Sequence, residues 1–498
     1  MAASTQLNHA SGTSPIVRIA NPELDLLTRL VFSRYPRWEW ATFARFGWRE
    51  RGDGLVISLA ALEPPTTGDL DSRVGHVAIQ EPYTLRVALA AEKHPLAVGV
   101  IHSHPREGVP EPSSIDDDMD GYYAQYLQGF APSRPYVSLI LSQIHGQLVM
   151  SGRVFWRGAW HVVKRFSAEP GPVQSWVQGV GPTRMQPPRA STRRLSAAFG
   201  DEADSRLRQS TVAVIGAGGT GSAAIEVLAR AGVGKLIIVD PDCLEESNLE
   251  RVHGSIPRHA SERRPKVAIA YAHAKAVNPA CEIQAFVGSL PQAEIVDAVV
   301  GADAMLGCTD RQHSRLAISD LAVRYLVPSI DCGVMLEGQG GSVTGQIAQI
   351  VRFLPADACA LCRGMVQSVK LHQELMSEEE RERRREAARA AAIRGENAAA
   401  YWSDEPQLNT VGYLTTAVGA LTAGYVLGWL TGRFATPFER LQMNLVAPFL
   451  DVTDNHVTPR ADCTCRRVRG WADQAQADAL ISAPGHWPSV QLVHSAGE

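Results

Sequence analysis

The stretch TVAVIGAGGTGSAAIEVLARAGVGKLIIVD, residues 211–240, constrains the fold of this chain more than any other. An apolar, β-branched run leads into a glycine-rich turn, an alanine-rich helical segment and a second apolar run, which is the pattern of a βαβ unit. Parallel strands joined this way need a sheet covered on both faces, so the expectation is an α/β, doubly wound, Rossmann-like domain. Gly216, Gly218 and Gly221 form G-x-G-x-x-G between strand and helix, with Gly219 among them. Backbone amides at a helix N-terminus reached through such a turn can meet a phosphate. Asp240 closes the second strand about 20 residues on, where an acid accepts a hydrogen bond from a ribose hydroxyl. To this point NAD and ATP fit equally well.

The residues that follow separate the two. DPDCLEESNLERV sets Asn248 and Arg251 three apart, and ERRPKVAIA brings Lys266 to the start of a helical run, so several phosphate-directed donors follow the ribose acid. AMLGCTDRQHSR ends an apolar strand at Asp310, a position suited to a magnesium ion that bridges triphosphate oxygens. Singly, each of these residues reads as well as a surface ion pair or a helix cap. In this order they favour ATP and Mg2+, and an NAD oxidoreductase leaves them unexplained.

Taken together the residues resemble the ThiF/MoeB family, the adenylating domain shared with ubiquitin-activating enzymes, over residues 193–470. The resemblance implies that Gly216, Gly218, Gly219 and Gly221 cradle ATP, that Asp240 holds the ribose, that Asn248, Arg251 and Lys266 meet phosphates and that Asp310 holds magnesium. STRRLSAAFGDEADSRLRQ, with its Phe199-Gly200 pair, resembles the family segment that sends an arginine into the partner subunit's site. That implies Arg193 or Arg194 in this role, and a homodimer. In the family, the C-terminal glycine carboxylate of a ubiquitin-like protein attacks the α-phosphate and pyrophosphate leaves, with the developing charge met by lysine, arginines and metal.

Eight cysteines add a second kind of site. Cys359 and Cys362 make C-x-x-C, and Cys463 and Cys465 make C-x-C about a hundred residues later, a complete four-sulfur set for structural Zn2+. The family commonly carries two C-x-x-C pairs here, so the shorter second pair is a departure. Nothing at the N-terminus reads as a secretory signal, so a reducing, cytoplasmic compartment is expected and disulfides are not. Relatives that transfer the activated protein onward carry a thioester cysteine after the first zinc pair; none lies between Gly364 and Asp462. That segment holds SEEERERRREAARAAAIRGEN, read as a solvated crossover helix. Cys243, Cys281, Cys308 and Cys332 read as buried, inert cysteines, with Cys332 the nearest to a nucleophile among them.

The N-terminal third carries separate chemistry in VIHSHPREGVPEPSSID. His102 and His104 alternate at the end of an apolar run, so both rings point to one side of a strand. Asp116 follows a proline-rich loop, stiffened by Pro105 and Pro112, and supplies an oxygen ligand while leaving a fourth position open, as catalytic rather than structural zinc requires. Ser113 is suited to orient that ligand or to stabilise an oxyanion. The string resembles the JAMM (JAB/MPN) metalloproteases, which cleave after the C-terminal glycine of ubiquitin-like proteins. The loop here is one residue longer than the family's, which brings Asp117 into play as a ligand, although the Ser-Ser-Ile-Asp ending favours Asp116. The resemblance also implies a glutamate on an earlier strand that takes a proton from the attacking water and passes it to the leaving amine. Glu39, at the head of EWATFARFGW after an amphipathic segment from Pro22 to Phe32, fits the family order; Glu50 and Glu81 are the alternatives.

These anchors organise the chain as a loose arm over residues 1–14, a JAB/MPN metallohydrolase domain over 15–166, a Pro/Gly/Ser-rich linker permitting motion over 167–192, the adenylating domain over 193–470 and a tail over 471–498 with no assigned mechanism. VGYLTTAVGALTAGYVLGWLTG, from Val411, is long enough to span a bilayer but is read as a buried helix of the adenylating fold, entered through EPQLN. A net charge of −4 argues against nucleic acid as a main partner, and no membrane partner is expected. Both expected sites address the same substrate end, the C-terminal glycine of a ubiquitin-like β-grasp protein. The combination resembles bacterial ubiquitin-like conjugation cassettes, some associated with antiphage defence, in which a conjugating enzyme or partner thiol protein would accept the activated glycine. Two alternatives remain: activation of a sulfur-carrier protein for thiocarboxylate formation, and a non-catalytic scaffold that binds ubiquitin-like proteins.

Overall fold

The computed structural model describes residues 14–33, 38–52, 54–73, 76–104, 108–168, 171–182, 186–403, 410–445, 450–453 and 456–493. Residues 1–13 of the expected arm, Pro105, the EPQLN lead-in and residues 494–498 of the tail lie outside them.

In the N-terminal unit the amphipathic segment forms the helix Asn21–Val31, which buries Leu27 and Val31 against one face of a mixed sheet. The middle of that sheet runs Gly54–Glu63, Ala41–Arg51, Ala97–Ser103, Tyr136–Ile144 and Gln147–Trp156. The helices Glu81–Ala91 and Ser114–Phe130 cover its other face through Tyr83, Val87, Tyr123 and Leu127. The alternation of Ala97–Ser103 is hidden because this central strand is buried throughout.

The C-terminal unit is the expected doubly wound sheet. Strands Thr211–Ile215, Lys235–Val239 and Glu282–Val287 pair in parallel on one side, while Ala304–Gly307 pairs in parallel with Thr211–Ile215 on the other. The order therefore reverses at Thr211–Ile215, and a crevice opens at the strands' C-terminal ends. Apolar clusters fill both faces, one around Val212, Ile238 and Leu306, the other around Ile215, Val239 and Met305. The apolar helix Gly412–Thr431 is long enough to cross a membrane by length and composition. It lies instead against the helix Gly219–Ala231, with Val418, Ala423, Val426 and Trp429 buried in the first cluster.

Among the described residues of the expected linker, several form paired strands. Arg165–Ala168 pairs in parallel with Ile16–Ile19 at one edge of the N-terminal sheet, and Gln174–Val177 pairs in parallel with Gln147–Trp156 at the other. The glycines and prolines of this stretch punctuate short edge strands, where a missing ladder donor is tolerated. Nor is the 471–498 segment a bare tail. Asp473–Asp478 forms a short 3-10 helix against Ala41–Arg51, and Gln491–Val493 adds an antiparallel edge strand beside Glu282–Val287.

The two units are locked together. Arg18 is 1% exposed, and its guanidinium donates to the carbonyls of Val300 (2.6 Å), Ala302 (2.5 Å) and Tyr325 (3.2 Å) in the C-terminal unit. Burial, followed by repulsion from Arg165, lowers its pKa to about 9, which leaves it charged at neutral pH. Arg165 reaches Asp303 at 2.7 Å, and Arg49 bridges Asp297 and Asp473. The backbone amide of Trp48 donates to Gln474 Oε1 at 2.7 Å, and that of Gly47 to the Gly470 carbonyl at 3.1 Å. Val56 sits inside the second apolar cluster of the C-terminal unit. Arg18→Met keeps much of the stem volume and strands three buried carbonyls, so it is expected to cost about 3 kcal/mol. Urea unfolding of the full chain measures this, and a midpoint equal to that of wild type would remove Arg18 as the tie.

Candidate functional sites

The crevice of the C-terminal unit is a cavity of about 1190 Å³. Gly216, at the end of Thr211–Ile215, has φ 101°, and a Cβ there would meet the Cys308 carbonyl oxygen at 2.4 Å. A Cβ on Gly221 would stand 1.8 Å from the Gly216 carbonyl oxygen. Only glycine at both positions lets the turn close and the helix Gly219–Ala231 start directly at the cavity, with its free amides facing inward. Gly216, Gly218 and Gly219 line it, as do Asp240, Arg251, Lys266 and Asp310.

Asp240 is 5% exposed and accepts from the amides of Ala217 (2.7 Å) and Asp242 (2.8 Å). Burial raises its pKa to about 6, against the opposing pull of Lys266. Lys266 opens the helix Lys266–Val277 and holds Asp242 Oδ2 at 3.0 Å. Burial lowers its pKa, but Asp240 and Asp242 outweigh this and keep it above the ordinary lysine value. Arg251 donates to the Ser247 carbonyl and pairs with Glu250. Asp310 extends into the open part of the cavity with its side chain 76% exposed.

Two expected groups stand apart from this cluster. Asn248 accepts from the Glu245 amide at 3.3 Å as part of a capping box on the short helix Glu246–Asn248, and Ser247 lines the cavity in its place. A capping side chain is turned back toward its own backbone, so Asn248 does not reach the crevice. Arg193 and Arg194 open the helix Arg193–Phe199 as exposed side chains outside the cavity of their own chain. Conversely, Arg315 and Lys370 line the cavity without having been singled out. Arg315 lies at the end of the quoted AMLGCTDRQHSR string and pairs with buried Asp331 at 2.8 Å. Lys370 comes from the helix Ser368–Leu375, whose placement is purely tertiary. Cys332 is 2% exposed in the cavity wall with its Sγ 3.8 Å from that of Cys308, and this contact, together with burial, pushes the Cys308 thiol well above its ordinary range.

In the N-terminal unit, Ala41 pairs with His102 across antiparallel strands, so Glu39, two residues earlier, falls on the His102 and His104 face. Trp40 and Ser103 exchange two hydrogen bonds that hold this end of the ladder. Glu39, His102, Ser113 and Asp116 line one small cavity of about 60 Å³. Glu50 is nine residues along the same strand from Ala41, roughly 30 Å away, and pairs with Arg157. Glu81 opens the helix Glu81–Ala91, outside this cavity.

Asp116 occupies the third position of the helix Ser114–Phe130 and forms a capping box with Ser113, whose amide and hydroxyl both donate to Asp116 Oδ2 at 2.7 Å. Its carboxylate lies 3.2 Å from His102 Nε2 and 3.6 Å from His104 Nε2. Asp117 turns away to Arg153 at 2.5 Å. The ligand atoms of His102, His104 and Asp116 lie within 4.8 Å of one another. His102 Nε2 is buried and faces the Asp116 carboxylate. Burial opposes ionisation of Asp116, yet the contacts from His102 and His104 hold its carboxyl well below the usual range. Two imidazoles, one carboxylate and an adjoining cavity suit an open tetrahedral zinc site.

Cys359, Cys362, Cys463 and Cys465 also lie within 4.8 Å of one another, with Sγ separations of 3.7 Å (Cys359 to Cys463) and 3.8 Å (Cys362 to Cys465). A tetrahedron with Zn–S bonds of about 2.3 Å has edges of about 3.8 Å. The C-x-C pair therefore closes the site as well as C-x-x-C would.

The chain matches the ThiF family over residues 191–466. It is 33% identical over 172 residues to the adenylyltransferase and sulfurtransferase UBA4 of Yarrowia lipolytica, covering 33% of this chain and 42% of that protein. It is 31% identical over 147 residues to the SAMP-activating enzyme E1 of Haloferax volcanii, covering 29% and 53%. It is 30% identical over 140 residues to the sulfur carrier protein ThiS adenylyltransferase of Bacillus subtilis, covering 28% and 42%. The chain thus spans about half the length of the relatives it matches, or less. Among solved structures, E. coli MccB aligns with a TM-score of 0.42 at 16% identity, covering 55% of this chain and 72% of that one.

Two outcomes are expected of these sites. Elemental analysis should find about two zinc ions per chain, one lost in His102→Ala and the other in Cys359→Ser; undiminished zinc in either variant would remove that site. Nucleotide affinity should weaken as pH falls through about 6, where the Asp240 carboxyl becomes neutral and ceases to be an anionic acceptor. Asp240→Asn should flatten that profile in fluorescent-nucleotide titrations, and an unchanged profile would point to another group.

Proposed function

Because the chain belongs to the ThiF family, we propose that its C-terminal unit uses ATP to adenylate the C-terminal glycine of a β-grasp, ubiquitin-like protein. We further propose that its N-terminal unit is a JAMM-type zinc peptidase acting behind the same glycine. The observation that carries the first reading is the convergence of the glycine turn, Asp240, Arg251, Lys266 and Asp310 on one cavity at the switch point of the sheet. The helix amides and the two cations would receive the triphosphate, and Asp240 the ribose. The glycine carboxylate would attack the α-phosphorus as the bond to pyrophosphate breaks, so that glycine-AMP and pyrophosphate form. Magnesium held by Asp310 would supply neutralisation of phosphate charge. Arg193 and Arg194, exposed and outside their own cavity, suit donation to a second copy's site in a homodimer.

In the second site, zinc held by His102, His104 and Asp116 would supply Lewis-acid activation of water and carbonyl. Glu39 lines the same cavity as His102 and Asp116. It would accept the proton of the attacking water on its carboxylate and return it to the leaving amine nitrogen. Ser113 orients Asp116 through the capping box. The four-cysteine site, whose two pairs flank the crossover segment, would hold zinc as a structural clip.

Relatives named for sulfur-carrier adenylation and for sulfurtransfer favour one second reading. In it, the same adenylate is consumed by sulfide transfer to give a thiocarboxylate, rather than by a conjugating enzyme or partner thiol protein. Incubating the protein with ATP, magnesium and candidate β-grasp proteins, with and without a C-terminal extension, and reading intact mass tests all of this. Loss of the extension and addition of AMP are expected. Glu39→Ala should slow cleavage by about 10²–10⁴-fold, and Asp310→Ala should slow adenylation by about 10²-fold or more, each leaving the other step intact. Absence of both mass changes with every candidate would overturn the enzymatic reading.

A further inference from the structure

His102 and His104 sit at the end of a strand that pairs on both sides, so the ladder sets their positions. Asp116 has no such support from the strand. It reaches the histidines only after a loop that follows His104 in sequence and carries three prolines, Pro105, Pro110 and Pro112, that offer no backbone donor. The placement of the third ligand therefore depends on what pins this loop. Near its start, the Gly108 amide donates to the Gln143 carbonyl at 3.1 Å and Ser142 Oγ to the Gly108 carbonyl at 2.7 Å. Ser151 Oγ donates to the Pro110 carbonyl. At its end, the Ser113 capping box holds Asp116.

The remaining pin comes from the segment that joins the two units. Gln174–Val177 runs parallel to Gln147–Trp156, with Gln174 opposite Val149 and Ser175 opposite Met150. This register carries Trp176 to the loop, where its indole Nε1 donates to Glu111 Oε1 at 2.5 Å. The Gly179 amide donates to the same oxygen at 3.1 Å, and buried Gln178 reaches Ser151 Oγ at 3.3 Å. One loop carboxylate thus takes two donors from the connecting segment, while Gln178 braces the serine that holds Pro110.

We infer that Glu111 and Trp176 are positioning residues of the His102, His104 and Asp116 site, so that the connecting strand sets how tightly the third ligand closes on a metal. The inference rests on the zinc reading of this site and not on any particular substrate. The indole N–H is a donor only, and phenylalanine fills most of its volume without it. Trp176→Phe therefore removes the bond and keeps the packing, Glu111→Ala removes the acceptor at a half-exposed loop position, and Glu111→Gln keeps an acceptor oxygen.

The test is zinc affinity of the full chain by competition with a chromophoric chelator, with His102→Ala subtracting the four-cysteine site. Trp176→Phe and Glu111→Ala should weaken the histidine-dependent zinc by about 10–100-fold, the range for groups that orient a metal's ligands, with Glu111→Gln near wild type. ATP–pyrophosphate exchange in the presence of a β-grasp partner should be unchanged in all three. Wild-type zinc affinity in both Trp176→Phe and Glu111→Ala would overturn the tie while leaving the zinc reading intact. A wild-type chain whose zinc content equals that of His102→Ala would overturn the zinc reading and, with it, this inference.

Discussion

A guanidinium withdrawn from water must find acceptors for its N–H groups or cost the fold several kcal/mol, and the two terminal nitrogens of Arg18 find theirs across the boundary between the two units. Its acceptors are the carbonyls of Val300, Ala302 and Tyr325, all at turns or helix ends where no intrahelical donor competes for them. Neither unit alone satisfies this group. The charge on Arg18 therefore makes the association specific in angle as well as in place. Arg165 with Asp303, and Arg49 with Asp297 and Asp473, extend the same rule to the rim of the interface.

This joint bears on how the two candidate sites share one chain. A flexible linker would raise the effective concentration of a trimmed tail without directing it. Here the two units are instead docked on one another, with the connecting strand built into the sheet beside the loop that carries Glu111.

Much of both sites was legible because each depends on local geometry that a spacing can express. His-x-His at a strand end faces one way by pleat alone, and Ser113 with Asp116 is a capping box written at the i, i+3 spacing of a helix start. The cap orients Asp116 toward the histidines, while Asp117 pairs with Arg153. Gly216 and Gly221 announce a turn that no side chain permits. Asn248, three before Arg251, reads as a donor, and in the structure its side chain takes part in a local cap beside the cavity that Ser247 and Arg251 line. The apolar run from Gly412 fits a membrane or a core equally well by composition, and only its burial against the helix Gly219–Ala231 decides for the core.

The amino-acid order by itself determined the glycine turn and its helix, the candidate metal-ligating sets and the alternation of strand and helix. These follow from backbone stereochemistry and from residues a few positions apart, where chain connectivity does the placing. Tertiary structure alone decided that residues 165–168 and 174–177 are sheet edge rather than linker, that residues 473–478 pack against the N-terminal sheet, and that Arg315 and Lys370 reach the nucleotide cavity. Each of those depends on partners a hundred or more residues away or on strand pairing between short, glycine-rich segments. Such pairings carry little hydrophobic pattern, because their stability comes from the surface they complete.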